Sequence, residues 1–174
     1  MAAVKKEKKS KVIDALNKAR SMELHAIHQY MNQHYSLDDK DYGTLASNMK
    51  LIAVDEMRHA ENFAERVKTL GGEPTVQRDG VVKTGQDVLA IYEADASQEG
   101  ATIETYSQFV KLCHDQGDNI SARLFESIID EEQAHMCYYE NIAGHIKTLG
   151  ATYLANIAGT PSDTGSTKGF VTNN

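Results

Sequence analysis

Residues 45–70 read LASNMKLIAVDEMRHAENFAERVKTL, a stretch of 26 residues without glycine or proline. Both of those residues weaken helix interiors, so their absence leaves room for one long helix. Steps of alternating three and four trace Leu45, Met49, Ile52, Glu56, His59, Phe63, Val67 and Leu70 along one face, the apolar stripe of a helix packed in a bundle. At its centre this stripe carries a carboxylate and an imidazole where a core wants hydrocarbon. Glu56 and His59 lie three positions apart and so share that face.

The pattern recurs on both sides of this stretch. Glycine and proline spacing predicts four helices, over about 10–37 with Ser10 as N-cap candidate, 41–70, 86–114 and 119–149. Gly43, Gly100 and Gly144 fall inside these spans, whereas Pro74 and Pro161 fall outside. The other three stripes carry Glu23, Glu99, and Glu132 with His135, each among apolar neighbours such as Ile27, Tyr106 and Ile128. Residues 71–85 form a connector that is long for a bundle hairpin. At ~3.5 Å per extended residue it reaches about 50 Å, enough to return along a helix of ~30 residues and leave the second and third helices parallel. Residues 151–158 read as a short fifth helix. Residues 159–174, rich in Gly, Ser and Thr, read as a loosely held extension with no chemistry assigned. The expected fold is all-α: a four-helix bundle with a long crossover between helices two and three and a short fifth C-terminal helix. Residues 1–158 form the domain and 159–174 a flexible C-terminal tail.

Composition narrows the function classes. A chain of 174 residues, 41% hydrophobic and 25% charged, suits one domain with a core of its own. The longest purely apolar run in the helical part, 51–54, is far short of a membrane span, and the Lys-rich start lacks the apolar core of a secretion signal. Two cysteines, Cys113 and Cys137, without C-x-x-C spacing supply neither a zinc knuckle nor a rubredoxin-type iron site, and a reducing cytoplasm fits them best. A net charge of -7 disfavours nucleic acid and anionic lipid and favours cationic partners, metal ions among them.

Of seven histidines only His59 and His135 sit three residues after a glutamate. Two such matches prove little alone, because helix-surface glutamates are usually solvated. Spacing adds the weight: Glu23 precedes Glu56 by 33 residues, and Glu99 precedes Glu132 by the same 33. In an antiparallel hairpin, residues equidistant from the turn lie at one level, and each pair is centred on its own expected turn. Docking the two hairpins face to face brings four carboxylates and two imidazoles together in the core. Uncompensated burial costs several kcal/mol per carboxylate, against the ~5–15 kcal/mol that holds a whole domain. Protonation or cations must relieve it. Two divalent ions neutralise four carboxylates and leave one imidazole for each, an oxygen-rich ligation that suits iron or manganese, with zinc possible in vitro.

Other positions are less decisive. Tyr30, seven residues after Glu23, serves equally as a core tyrosine or as a hydrogen-bond donor near the metals. Asp95 and Glu131 are weaker outer candidates. Met57 points about 100° away from Glu56 onto a face with the small residues Ala46, Ala53, Ala60 and Ala64, open to an interface or to a flat ligand such as haem.

In the stretches MELHAIHQY (22–30), DEMRHAENF (55–63) and DEEQAHMCYYE (130–140), the chain resembles the bacterioferritins, the haem-containing branch of the ferritin-like proteins, over residues 8–158. The resemblance implies a ferritin-like fold and an iron-storage ferroxidase that oxidises Fe(II) with dioxygen or hydrogen peroxide and deposits Fe(III) mineral in a cage of 24 subunits built from dimers. It carries the metal and catalytic roles onto Glu23, Glu56, His59, Glu99, Glu132 and His135, with Glu56 and Glu132 bridging two iron ions. It makes Met57 an axial haem ligand, one from each of two subunits, in a pocket lined by Leu24, Ile27, His28, Met31, Lys50 and Val54. It also implies electron donation by a ferredoxin or rubredoxin. One departure is that Leu51 stands where some members carry a cavity-face histidine beside the aspartate matched by Asp55, which puts their iron route in question. The competing readings are a haem electron-transfer protein, a diiron peroxidase that stores nothing, and a metal-free interaction bundle.

Overall fold

The computed structural model describes residues 2–162 and 168–171, with side chains from residue 9 onward. Five helices follow in order: α1 (Ala2–Asp39), α2 (Gly43–Thr69), α3 (Val88–Gln116), α4 (Asn119–Leu149) and α5 (Ala151–Ile157). The first starts eight residues before Ser10, so Ser10 is interior to the helix and caps nothing. The preceding Ala, Lys and Glu residues are strong helix formers with no breaker among them. The third starts two residues later than expected because Asp87 caps it, its side chain accepting from the Ala90 amide at 2.8 Å. Gly117 ends α3 at φ 78°, where a side chain would be strained. Asp118 then caps α4 through the Ser121 amide at 3.0 Å and binds Arg66 of α2 at 2.7 Å.

The long connector crosses the bundle. Its contacts with α1 advance in step along both strands of chain: Asn17 to Glu73 at 3.0 Å, Arg20 to Thr75 at 2.9 Å, Ser21 to Asp79 at 2.9 Å and Gln29 to Lys83 at 2.8 Å. It therefore runs parallel to α1, from the end where α2 finishes to the end where α2 began. α3 starts there and runs parallel to α2, as the connector's reach allows. Such ties satisfy backbone groups of a strandless segment that would otherwise be left unpaired.

Two hydrophobic clusters fill the interior. One contains Leu37, Leu45, Met49, Ile52, Tyr92 and Tyr139. The other contains Leu16, Phe63, Val67, Tyr106, Phe125 and Ile128. The stripe positions between them are the acidic and histidine ones, so the apolar core is interrupted at mid-height by a polar layer. Among the described residues no helix is long and apolar enough to cross a membrane.

The segment 159–174 divides. Residues 163–167 and 172–174 lie outside the described residues. Thr160 bridges to Tyr42 near the α1–α2 turn, and residues 168–171 lie against α2 and α4, with Gly169 buried. That contact goes beyond the loosely held extension expected from composition.

Candidate metal centre

All six side chains singled out at mid-stripe meet in the polar layer. Glu23, Glu56, His59, Glu99, Glu132 and His135 are each at most 2% exposed. They form two quartets, Glu23–Glu56–His59–Glu132 and Glu56–Glu99–Glu132–His135, whose donor atoms lie within 4.8 Å of one another. Glu56 and Glu132 belong to both. Both imidazoles turn Nδ1 inward: His59 Nδ1 is 2.9 Å from Glu56 Oε2 and 3.3 Å from Glu132 Oε1, and His135 Nδ1 is 3.0 Å from Glu132 Oε2 and 3.2 Å from Glu56 Oε1. Each Nδ1 hydrogen-bonds its nearer oxygen, which leaves Glu56 Oε1 and Glu132 Oε1 buried and without a hydrogen bond of their own. Lone pairs left facing inward in a dry site are what a cation would take up.

Protons relieve the layer in the metal-free protein. Burial, reinforced by the Glu132 and Glu56 charges, pushes the Glu23 and Glu99 carboxyls well above the usual range. Burial works against charged imidazoles at His59 and His135, but the surrounding carboxylates outweigh it and raise both. Burial likewise opposes ionisation of Glu56, yet the two imidazoles hold it down at about 2. Four groups thus gain affinity for protons at the place where two divalent ions would bring four charges.

The outward nitrogens are held as well. His59 Nε2 lies 3.3 Å from Glu131 Oε2, and His135 Nε2 lies 3.3 Å from Asp55 Oδ2. Burial would raise Asp55, but hydrogen bonds from His135 and the Val171 amide, with the Arg58 charge, keep it low. A carboxylate behind a metal-facing histidine fixes its tautomer and direction. Tyr30 donates to Glu99, settling the choice left open by the sequence, and Tyr106 donates to Glu23. Tyr106 was missed as a site residue, although it stands seven residues after Glu99 just as Tyr30 stands seven after Glu23. Asp95 sits away from the layer, accepting from Gln33 at 3.0 Å beside a small polar cavity that also touches His25 and Tyr30.

Met57 is 54% exposed and opens onto a surface groove with Leu24, Ile27, Ala60 and Ala64. Leu24 and Ile27 are two of the six pocket residues that the resemblance implied. The groove also carries Arg20, Arg58 and Glu61. An exposed thioether on small apolar walls fits a flat iron ligand.

Residues 13–149 match the model of the ferritin-like domain. The chain is 72% identical over 173 residues to a Desulfovibrio desulfuricans bacterioferritin, covering 99% of this chain and 97% of that one. It belongs to the bacterioferritins. A crystal structure of the Desulfovibrio desulfuricans bacterioferritin and its diiron site, reduced in solution and allowed to reoxidise before crystallisation, superposes with a TM-score of 0.92 at 73% identity, over 93% of this chain and 95% of that one. Mycobacterium tuberculosis bacterioferritin BfrA superposes at 0.81 with 32% identity, over 85% and 94%. The fold of this bacterioferritin chain is the ferritin-like four-helix bundle with a short C-terminal helix, as the stripes and the crossover led one to expect.

Proposed function

We propose that the chain is the subunit of an iron-storage ferroxidase. Fe(II) pairs enter the polar layer as substrate, held by Glu23 and His59 on one side, Glu99 and His135 on the other, and Glu56 and Glu132 between them. Two Fe(II) supply two electrons, enough with two protons to reduce dioxygen to peroxide or hydrogen peroxide to water. Carboxylate oxygens suit the higher charge of Fe(III), and carboxylates shared between two positions accommodate the change of oxidation state. The product passes to a mineral inside a homo-oligomeric cage, which we take to be 24 subunits assembled from dimers, in the cytoplasm. The observation that carries the reading is the pair of buried quartets sharing Glu56 and Glu132. Replacing Glu56 or His135 by Ala should slow aerobic Fe(II) oxidation at least about 100-fold, since direct ligands matter more than the 10–100-fold typical of their outer partners. Unchanged kinetics would refute it.

The exposed Met57 groove supports a second cofactor. Haem bound there by Met57 from each of two subunits would supply a one-electron path for reducing stored Fe(III), with a ferredoxin or rubredoxin as donor. Met57→Leu separates this from a protein whose sole business is haem electron transfer: haem is lost while iron oxidation persists. Native sizing separates storage from a diiron peroxidase, because a particle of one or two subunits that accumulates no iron stores nothing.

A further inference from the structure

The two outer carboxylates behind the histidines differ in burial. Glu131, behind His59, keeps its side chain 32% exposed. Asp55, behind His135, is fully buried, and part of the wall that buries it is the C-terminal segment. The Val171 amide donates to Asp55 Oδ2 at 3.0 Å. The Phe170 amide donates to the Leu51 carbonyl, one turn earlier on α2, at 3.3 Å. Gly169 packs so closely that a β-carbon there would overlap the Asp55 carboxylate. The Phe170 ring then crosses to α4, 4.9 Å from the Tyr138 ring and edge-on to His135 at 6.2 Å.

This segment joins α2 to α4 over one histidine and not over the other. A carboxylate that takes a backbone N–H, the Arg58 guanidinium and the His135 ring together has little freedom to rotate. It therefore holds His135 with Nδ1 inward more firmly than Glu131, which is partly exposed and reached by the same guanidinium only at 3.7 Å, holds His59. Taking up the metal reading above, we propose that residues 168–171 are a clamp belonging to the metal centre. They lock Asp55 onto His135 and close the α2–α4 seam, so that the ion held with His135 and Glu99 exchanges more slowly than the ion held with His59 and Glu23. Leu51, at the position where the resemblance leads one to look for a histidine, contributes a backbone acceptor to this closure in place of a ligand.

Release of metal tests the clamp without turnover. The full-length protein is loaded anaerobically with two Co(II), and loss of the Co(II) visible bands is followed after adding excess chelator. Two phases of equal amplitude should appear, separated about 10-fold or more. A chain ending at Thr167, and separately Gly169→Val, should speed only the slow phase by about 10-fold, with the fast phase and the helical circular dichroism unchanged. The point variant keeps the test sound should the shortened chain fold poorly. A single phase in the full-length protein overturns the proposal, as does equal acceleration of both phases or no change in the variants. Failure to bind two Co(II) at all would instead bring down the metal reading on which the clamp rests.

Discussion

The α1–α2 and α3–α4 hairpins present equivalent side chains 76 positions apart: Glu23 and Glu99, Tyr30 and Tyr106, Glu56 and Glu132, His59 and His135. In the buried polar layer the two hairpins are interchangeable, each giving one glutamate common to both quartets, one glutamate confined to a single quartet, one imidazole and one tyrosine donor. One shell further out they diverge. Asp55 is sealed under the C-terminal segment while its counterpart Glu131 is 32% exposed. Buried Asp95 on α3 stands where α1 has the buried Ala19. On the proposed function, the inner layer is constrained by charge neutrality, which demands matched ligands for two ions. The outer layer has only to be packed and satisfied, and there the two halves were free to differ.

The largest expected effects break the inner equivalence. Glu56→Ala or Glu132→Ala removes a group common to both quartets, and affinity for both ions should fall at least about 100-fold. His59→Ala and His135→Ala each remove one quartet's nitrogen and should leave one Co(II) bound of two. Calorimetric titration reads the stoichiometry directly. If either histidine variant loses both ions, the halves act as one unit.

The next effect sharpens the outer asymmetry. Burial lifts the Asp95 carboxyl to about 7, with the Gln33 hydrogen bond and the Lys83 charge opposing it. A carboxyl that ionises at a higher pH in the folded chain than in the unfolded one adds stability fully present in acid and lost as pH rises. The loss should run from about pH 4 to pH 7 and reach up to about 4 kcal/mol. The buried carboxyls Glu23 and Glu99 tilt the metal-free protein in the same direction, so the comparison is between wild type and Asp95→Asn. Urea unfolding of both across that range should show the variant gaining on wild type as pH rises. A gap that stays constant with pH would mean that Asp95 ionises as it does in water.

How far these features were legible in the sequence follows the same division. The inner layer was readable because each of its members lies on an apolar stripe of a long helix, and helical spacing fixes which side chains share a face. Hairpin symmetry about the turns then brought Glu23 level with Glu56, and Glu99 level with Glu132. The clamp on Asp55 was not readable. It depends on where a Gly- and Ser-rich segment lands after α5, and no periodicity governs that. Tyr106 lies between these cases: its spacing from Glu99 is visible in the sequence, but only against the same spacing of Tyr30 from Glu23. The start of α1 shows another limit, since Ser10 carries a capping side chain but the Ala- and Lys-rich residues before it extend the helix past it.

The smallest expected effect asks how deep the equivalence runs. Tyr30 and Tyr106 are both buried and each donates to a glutamate confined to a single quartet. Removing either hydroxyl leaves a glutamate oxygen without its donor, at about 1–2 kcal/mol in the metal-free protein. Tyr30→Phe and Tyr106→Phe should therefore lower stability by amounts within about 0.5 kcal/mol of each other. Their costs should add in the double variant, because the two bonds, each running from one hairpin to the other, share neither donor nor acceptor. Their surroundings differ. The Tyr106 hydroxyl also approaches the Ala19 carbonyl at 3.4 Å, while Tyr30 packs against the Tyr139 ring at 5.7 Å and borders the cavity beside Asp95. A cost for Tyr106→Phe exceeding that for Tyr30→Phe by more than about 1 kcal/mol would place the end of the equivalence at the tyrosines, inside the layer where charge neutrality was taken to enforce it.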